Sequence, residues 1–357
     1  MTNDLGVANG KFWGLKKTNM TKLYFASNDA LVALTIEGGN VGCDLHLRGN
    51  KIACVTVDPS CPRLIYCGTF GSDLWSSDNA GESWRPAGKG VRHSKVQSVT
   101  VSRSERINGR GVVYAGTEPS AVFRSEDGGE TWEECGGLTT LPSAIEWSFP
   151  PRPETHHVRW IEADPHVQGR LFVAVEAGAL IRSADSGTTW QDRTAHGPRD
   201  SHQLSIHLSA PERLYSAAGD GYFESRDGGD TWQRFEKGLQ HRYLWSIAID
   251  SADADNIILS AAASARRSHY EPAESYLYRR TAGSPWQQLR DGLPKPAGRR
   301  TAVLASHPRE PGTFFAAWEH DVYHSVDGGA SWDRLDVPWP ENCRINEICA
   351  LAIAEYQ

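Results

Sequence analysis

One eight-residue pattern recurs along this 357-residue chain and constrains its fold more than any other feature. Four full copies, SEDGGETW, SADSGTTW, SRDGGDTW and SVDGGASW, begin at Ser125, Ser183, Ser225 and Ser325. Two weaker copies, SDNAGESW and RRTAGSPW, keep only part of the pattern. The six tryptophans that end the copies are 42 to 58 residues apart, at positions 84, 132, 190, 232, 286 and 332. A period of this length, with strand-like sequence between copies, predicts a propeller or a similar repeat array.

The residue types of this octapeptide indicate a turn between two strands. An aspartate such as Asp127 can accept hydrogen bonds from the backbone N–H groups that follow it. A glycine such as Gly129 permits the positive φ angles that a tight turn requires. The tryptophan supplies a large apolar surface that can be buried between sheets. We therefore interpret the octapeptide aspartates as structural groups and not as catalytic acids.

The pattern S-x-D-x-G-x-T-W resembles the Asp-box (BNR) repeat of sialidase-like propellers, and the resemblance covers roughly residues 52–336. It implies a β-propeller of the bacterial glycosyl-hydrolase-like, single-propeller type. Sialidases of this superfamily carry an Arg-Ile-Pro segment that supplies an arginine for sialic acid. Here Arg106-Ile107 and Arg344-Ile345 are each followed by asparagine, so sialidase activity is not expected.

Short β-branched and aromatic runs predict four strands in each of six repeats. Three further strand-like runs, KLYFA, ALVALTI and CDLHL, precede the first repeat, and ICALAIA lies near the C terminus. We expect the C-terminal strand to complete the first blade, because closure pairs the exposed edges. The prediction is an all-β, seven-bladed propeller with four-stranded blades, and a six-bladed propeller is the alternative. Residues 1–20 would form an N-terminal extension and residues 21–357 a single domain.

Composition limits the possible partners and location. The net charge of −7 and the pI of about 6.0 argue against a nucleic-acid-binding surface. No apolar run is long enough for a membrane span, and residues 1–20 show no signal-peptide pattern. Seven cysteines without a C-x-x-C spacing are typical of a reduced, cytoplasmic protein.

Loops that enter the innermost strands should share one face of the propeller. We aligned the expected innermost strands on Asp58, Ser102, Asp164, Ser209, Asp250, His307 and Ala354. Seven positions earlier, this alignment predicts a ring of polar side chains from Lys51, Lys95, His157, His202, Tyr243, Arg300 and Glu347. Two positions further along the strands, Gln97, Arg159 and Trp245 would form a second layer.

The ring composition predicts a positively charged channel mouth suited to an anionic or carboxylate-bearing ligand. His157 or His202 would act as general acid or base with help from Tyr243. The expected substrate-binding residues are Lys51, Lys95, Arg159, Glu176, Asp220, Arg300 and Glu347. Glu118 with Glu176, or Glu176 with Asp220, could supply the paired carboxylates of glycoside hydrolysis.

No cofactor is expected from the sequence. A divalent metal bound by His157 and His202 is an alternative, although Lys95 and Arg300 in the same ring would repel it. Two functions stay open. One is a hydrolase or lyase for a small polar, anionic or sugar-like substrate, and the other is a non-catalytic scaffold that binds a protein partner. Two insertions, 136–155 and 262–275, are candidates for function because long loops in compact folds often carry it. Trp147 and Phe149 in the first could serve either as a lid or as a docking surface.

Overall fold

Seven antiparallel sheets form a seven-bladed β-propeller in the computed structural model, which describes residues 20–341, 343 and 345–356. The predicted seven blades are therefore confirmed, and the six-bladed alternative is wrong. The expected N-terminal extension, residues 1–20, lies outside the described residues except for Met20, the first residue of the first strand.

The strands follow the repeat of the sequence. The first two sheets contain β1 (Met20–Ser27), β2 (Leu31–Glu37), β3 (Asn40–His46), β4 (Ile52–Val57), β5 (Ile65–Thr69), β6 (Leu74–Ser77) and β7 (Arg85–Pro86). The third and fourth contain β8 (Lys95–Ile107), β9 (Arg110–Glu118), β10 (Val122–Ser125), β11 (Glu133–Cys135), β12 (Val158–Ala163), β13 (Leu171–Val175) and β14 (Ala179–Ser183). The fifth and sixth contain β15 (Ser201–Ile206), β16 (Leu214–Ala218), β17 (Gly221–Ser225), β18 (Gln233–Arg234), β19 (Tyr243–Ile249), β20 (Ile257–Ala262), β21 (Tyr276–Arg280) and β22 (Gln287–Gln288). The last strands are β23 (Val303–Ser306), β24 (Phe314–Trp318), β25 (Asp321–Ser325), β26 (Asp333–Arg334) and β27 (Ile348–Tyr356).

Both ends of the described chain build the first blade, whose strand order is β27-β1-β2-β3. β27 pairs antiparallel with β1, from Met20 opposite Tyr356 to Ser27 opposite Ile348. The predicted closure by the C-terminal strand is confirmed. The main-chain hydrogen bonds between β27 and β1 tie the two ends of the described chain together within one blade, so β1 has no unpaired inner edge. Blade four has the shortest outer strand, a single bridge between Arg182 and Gln191.

The octapeptide forms the same turn in each full copy, between the third and fourth strands of a blade. In the copy from Ser125, the Thr131 N–H donates to Asp127 Oδ1 at 2.9 Å and the Gly129 N–H donates to Ser125 Oγ at 2.8 Å. Gly129 has a φ of 86°. Trp132 Nε1 donates to the carbonyl oxygen of Ala87, in the preceding blade. The Asp127 carboxylate is therefore hydrogen-bonded within its own turn, as expected for a structural group.

A bulge interrupts the innermost strand at one matching place in six blades. The residues skipped in the pairing are Ala53, Gln97, Arg159, His202, Trp245 and Cys349. A bulge re-aims a side chain and is common near functional sites. Small residues of the second strand, such as Gly68 and Gly116, lie beside the bulge, where the next blade approaches closely.

Both predicted insertions are ordered loops on the face where the innermost strands begin. The first contains two 3₁₀ helices, Leu138–Thr140 and Pro142–Glu146. The second contains the helix α1 (Ala265–His269). In the part of the chain that the structure describes, no helix has both the length and the apolar character that a membrane span needs.

Candidate functional site

In blade five, the strand register places the ring position two residues earlier than the sequence alignment predicted. β15 begins at Ser201, whereas the sequence alignment on Ser209 placed this strand two residues later. His207 and not Ser209 ends the strand, because His207 Nδ1 accepts from the Ser209 N–H just as Asp164 Oδ1 accepts from the His166 N–H. The predicted ring position of His202 is therefore wrong. Asp200 occupies it, and His202 lies in the second layer with Arg159 and Trp245.

Five side chains from blades four and five meet at the channel mouth, and we call them the axial cluster: His157, Arg159, Glu176, Asp200 and His202. His157 Nε2 lies 2.8 Å from Glu176 Oε2, and Arg159 Nε lies 3.7 Å from the same oxygen. His202 Nε2 lies 3.9 Å from Glu176 Oε1 and 3.6 Å from Asp200 Oδ1. The structure thus brings together four of the predicted residues, each in contact with or part of the Glu176 carboxylate: His157, Arg159, Glu176 and His202.

Blade six closes the cluster on one side. The Tyr243 hydroxyl lies 3.4 Å from His202 Nε2 and 3.1 Å from Nε2 of His269, a residue of α1. The Trp245 ring packs 4.8 Å from the His202 ring, and the Arg159 guanidinium lies 4.5 Å from the Trp245 ring centre. Tyr243 is therefore placed beside the histidine that it was expected to assist.

The environment moves the pKa values of the two carboxylates in opposite directions. Burial alone would raise the pKa of Glu176, but the hydrogen bond from His157 and the charges of His157, His202 and Arg159 hold it well below its usual range. Burial raises the pKa of Asp200; His202 opposes this effect and Glu176 adds to it. Burial lowers the pKa of His269 to about 4, which keeps this imidazole neutral. Such divergence is typical of functional carboxylates.

A second group of charges lies beside the cluster around the ring of Phe70. Lys51 Nζ, Lys95 Nζ and the Arg152 guanidinium lie 4.9, 4.8 and 5.2 Å from the ring centre. Arg152 and Lys95 both bind Glu118, at 2.5 and 3.0 Å. Burial acts to raise the pKa of Glu118, but these two partners outweigh it and lower the pKa. Lys51 makes no ion pair with the described residues, so its charge is available to a ligand.

The remaining predicted residues are more distant from the cluster. Arg300 and Glu347 line a cavity of about 10 Å³ with Trp245 and His269, a volume suited to about one water molecule. Arg300 Nη1 donates to the carbonyl oxygen of Asn346 at 2.7 Å. Asp220 contacts Arg234 and the Arg199 N–H, each at 3.5 Å, and is not a member of the cluster. Asp200 takes the place that was expected for Asp220 beside Glu176.

Sequence reasoning missed Asp200, Arg152 and His269. A histidine as the turn acceptor at the end of β15 could have corrected the register and revealed Asp200, because His307 ends its strand in the same way. Arg152 and His269 come from the two insertions, where no repeat pattern indicates which side chain points inward.

The fold and this mouth define a seven-bladed propeller with a buried acid–base cluster on its axis. No protein family model matches the sequence, and no curated protein matches it. Solved structures share the fold. A Niastella koreensis GH74 enzyme superposes with a TM-score of 0.65 at 15% identity over 87% of this chain and 52% of the enzyme.

Two other structures give similar values. An ancestral GH74 enzyme has a TM-score of 0.61 and 16% identity, over 93% of this chain and 39% of the enzyme. YCF48 bound to D1 peptide has a TM-score of 0.57 and 15% identity, over 88% of this chain and 85% of YCF48. The chain thus spans only 39% and 52% of the lengths of the two GH74 enzymes. At these identities the likeness establishes the propeller fold alone.

Proposed function

We propose that this protein is a hydrolase that acts on a small polar, anionic or sugar-like substrate at the channel mouth. One observation carries the proposal: the axial cluster brings two carboxylates, two imidazoles and a guanidinium together from two adjacent blades. A purely structural core would be apolar or fully paired, because buried unpaired charges are costly. Similar clusters of perturbed groups are characteristic of catalytic sites.

Solvent reaches the cluster at Asp200, and this sets where the substrate enters. The Asp200 side chain is 27% exposed, whereas that of His202 is fully buried. A substrate or an attacking water at the mouth would therefore meet Asp200 first. His157 acts as a positioning residue, because its hydrogen bond orients Glu176 within the cluster. Proton transfer by positioned groups of this kind contributes about 10²–10⁴-fold to rates.

A negative group on the substrate would bind beside Phe70. Lys51 is exposed there, and the charges of Lys95 and Arg152 are only partly balanced by the single carboxylate of Glu118. The low-dielectric ring of Phe70 between these cations strengthens their field at the mouth. This arrangement supports an anionic substrate, such as a phosphate monoester or a uronic acid.

The proposal includes a relationship to Asp-box, sialidase-like and glycosyl-hydrolase-like propellers. The repeated turn bonds of the octapeptide and the likeness to GH74 enzymes support it. We also propose a cytoplasmic location, which suits buried thiols such as Cys54 and Cys67.

The test is a hydrolysis screen with chromogenic 4-nitrophenyl glycosides, glucuronides, carboxylic esters and phosphate monoesters. The wild-type protein should turn over at least one compound. Asp200→Asn should lower kcat by about 100-fold or more. Asp220→Asn, the same change on the next loop of this face, should leave kcat within about twofold. The proposal fails if no compound in the panel is hydrolysed, or if both variants retain full turnover.

A protein partner is the second candidate function, supported by the apolar side chains that the insertions expose on this face. Ile145 is 92% exposed and Tyr270 is 60% exposed. Large exposed apolar side chains on one face can mark a protein-binding surface. In this case a double variant, Ile145→Ser with Tyr270→Ser, would abolish capture of the partner while Asp200→Asn would not.

A further inference from the structure

We propose that Glu176, Asp200 and His202 form a binding site for one divalent transition-metal cation of the Mn²⁺ or Zn²⁺ type. Glu176 Oε1, Asp200 Oδ1 and His202 Nε2 belong to adjacent blades and point toward a common centre. This donor set differs from the His157 and His202 pair that the sequence suggested. The site rests on geometry alone and does not require that the protein be a hydrolase.

The spacing of the three donor atoms fits a metal ion. His202 Nε2 lies 3.9 Å from the Glu176 oxygen and 3.6 Å from the Asp200 oxygen, and the cluster's ligand atoms all lie within 4.8 Å of one another. Ligands held about 2.0–2.2 Å from a metal ion are about 3–4 Å apart in common geometries. Only small side-chain movements would complete the coordination, and water could fill the open positions.

The orientation of His202 supports metal binding. Its Nδ1–H donates to the carbonyl oxygen of Leu244 at 2.5 Å, which leaves Nε2 directed at the two carboxylates. The Tyr243 hydroxyl lies 3.4 Å from this Nε2 but is closer to His269 Nε2, at 3.1 Å, to which it can donate. A backbone carbonyl on the far ring nitrogen is the usual arrangement behind a metal-binding histidine, because it fixes the tautomer and the ring plane. The His202 ring is also held between Tyr243 and Trp245, at 4.9 and 4.8 Å. The imidazole is thus preorganised to offer one lone pair to the cluster.

The hydrogen bonds around Glu176 leave one oxygen free for a cation. Oε2 is occupied by His157 at 2.8 Å, with Arg159 at 3.7 Å. Oε1 receives no hydrogen bond from the described residues and faces Asp200 Oδ1 and His202 Nε2. The carboxylates of Glu176 and Asp200 repel each other unless positive charge lies between them. A divalent ion bound together with His202 Nε2 would supply that charge.

Lys95 and Arg300, the cations that were expected to repel a metal, bind other groups. Lys95 binds Glu118 at 3.0 Å, and Arg300 is turned to the carbonyl oxygen of Asn346. Arg159 lies on the Oε2 side of Glu176 and stacks on Trp245. The mixed nitrogen and oxygen donor set favours a first-row transition metal over Mg²⁺ or Ca²⁺. A metal at this place could polarise a substrate or activate a bound water.

Calorimetric titration of the EDTA-treated 357-residue chain with Mn²⁺ tests the site directly. Mn²⁺ is the main probe because thiols bind it poorly, whereas Zn²⁺ could also bind the seven free cysteines. One equivalent of Mn²⁺ should bind and should raise the melting temperature. Asp200→Asn and, independently, Glu176→Gln should weaken binding by about tenfold or more. Asp220→Asn should bind as the wild type does.

Thermal unfolding of each variant in EDTA shows whether it is folded, so that lost binding cannot be mistaken for lost structure. Because binding is read without substrate, Mn²⁺ binding without turnover would retain the cation site and reject only the hydrolase. The cation site is overturned if wild-type protein binds no Mn²⁺, or if folded Asp200→Asn and Glu176→Gln both bind it with unchanged affinity.

Discussion

His157 Nε2 lies 2.8 Å from Glu176 Oε2, and the two residues flank the first residue pair of the β12–β13 hairpin, Val158 opposite Val175. The contact is therefore a local consequence of strand register. It brings the loop that enters the innermost strand into contact with the loop between the second and third strands. These two loop sets meet on one face of the propeller, and the axial cluster is where they meet in blade four.

Loss of the His157 imidazole should destabilise the fold. In His157→Ala, the buried Glu176 Oε2 loses its hydrogen bond and keeps only Arg159 at 3.7 Å. We expect the free energy of unfolding to fall by about 1–3 kcal/mol, measured by urea unfolding monitored through tryptophan fluorescence. His93→Ala removes an imidazole outside the cluster whose ring contacts that of Phe123, with 6.3 Å between the ring centres, and should cost less. An equal cost for both variants would show that the contact with Glu176 adds nothing.

Glu118 should make stability depend on pH in the acid range. Its pKa is lowered in the folded protein despite burial, because Arg152 and Lys95 bind the carboxylate. A depressed carboxyl pKa contributes stability above the unfolded value of about 4.3, and this contribution disappears as the pH falls through the folded pKa. Arg152 and Lys95 are 35% and 39% exposed, so solvent reduces the effect. We expect Glu118→Gln to lose about 1–2 kcal/mol at pH 7.

The difference in unfolding free energy between wild type and Glu118→Gln should then shrink as the pH is lowered below about 4. Urea unfolding of both proteins between pH 3 and pH 7 measures it. A difference that stays constant over this range would contradict the assignment of the charge pair.

Gly116 should tolerate no side chain. A Cβ at this position would lie 2.4 Å from both Val158 Cγ1 and Ser98 Oγ, where the bulge of β8 and the next blade converge. Gly116→Ala should therefore cost about 1–3 kcal/mol through overpacking. Gly42→Ala is the matched control, because its Cβ would meet nothing closer than Thr35 Cβ at 3.8 Å. If chemical unfolding gives the same stability for both variants, the close approach of the blades at Gly116 is contradicted.

The octapeptide aspartate should matter for the turn it forms and not for catalysis. Asp127 accepts hydrogen bonds from Thr131 and Ser125 that outweigh its slight burial and lower its pKa to about 2. In blade two, Asn79 makes matching bonds, with its Oδ1 accepting from the Ser83 N–H at 3.0 Å. Asp127→Asn should therefore lower the melting temperature less than Asp127→Ala, and neither should change turnover. A loss of turnover in a well-folded Asp127→Asn would contradict the structural role.

The number of blades and the closure of the ring could be predicted from the sequence. Both follow from the octapeptide turns and the strands, and each of these is encoded by a short, local stretch of sequence. Each octapeptide marks one blade, and the alternation of Ile348–Tyr356 matches an innermost strand. The position of β15 was not predictable from the same rule. The strand ends at His207, where three other blades have an aspartate. From the sequence, both His207 and Ser209 were therefore acceptable as the polar residue that follows the strand.

The chemistry of the mouth was only partly predictable. His157 and Glu176 follow from the register of one hairpin, and the sequence placed both on the correct face. Arg152 and His269 reach the mouth from insertions whose paths depend on tertiary contacts, such as the Arg152 bonds to Glu118. The additional acids also change the electrostatic expectation. Asp200 and Glu118 balance much of the positive charge predicted for the ring.

The central claim is that the residues of the axial cluster are arranged for function at a cost in stability. Replacing one of its carboxylates tests this claim most directly. The measurement is the free energy of unfolding of Asp200→Asn and wild type, at pH 7.5 in EDTA. Because burial and the neighbouring Glu176 carboxylate raise the pKa of Asp200, its charged form costs stability, and loss of the charge should stabilise the folded protein by about 0.5–2 kcal/mol. A variant that is instead less stable by about 1 kcal/mol or more would show that Asp200 is a satisfied structural partner of His202, and would contradict a site arranged for function.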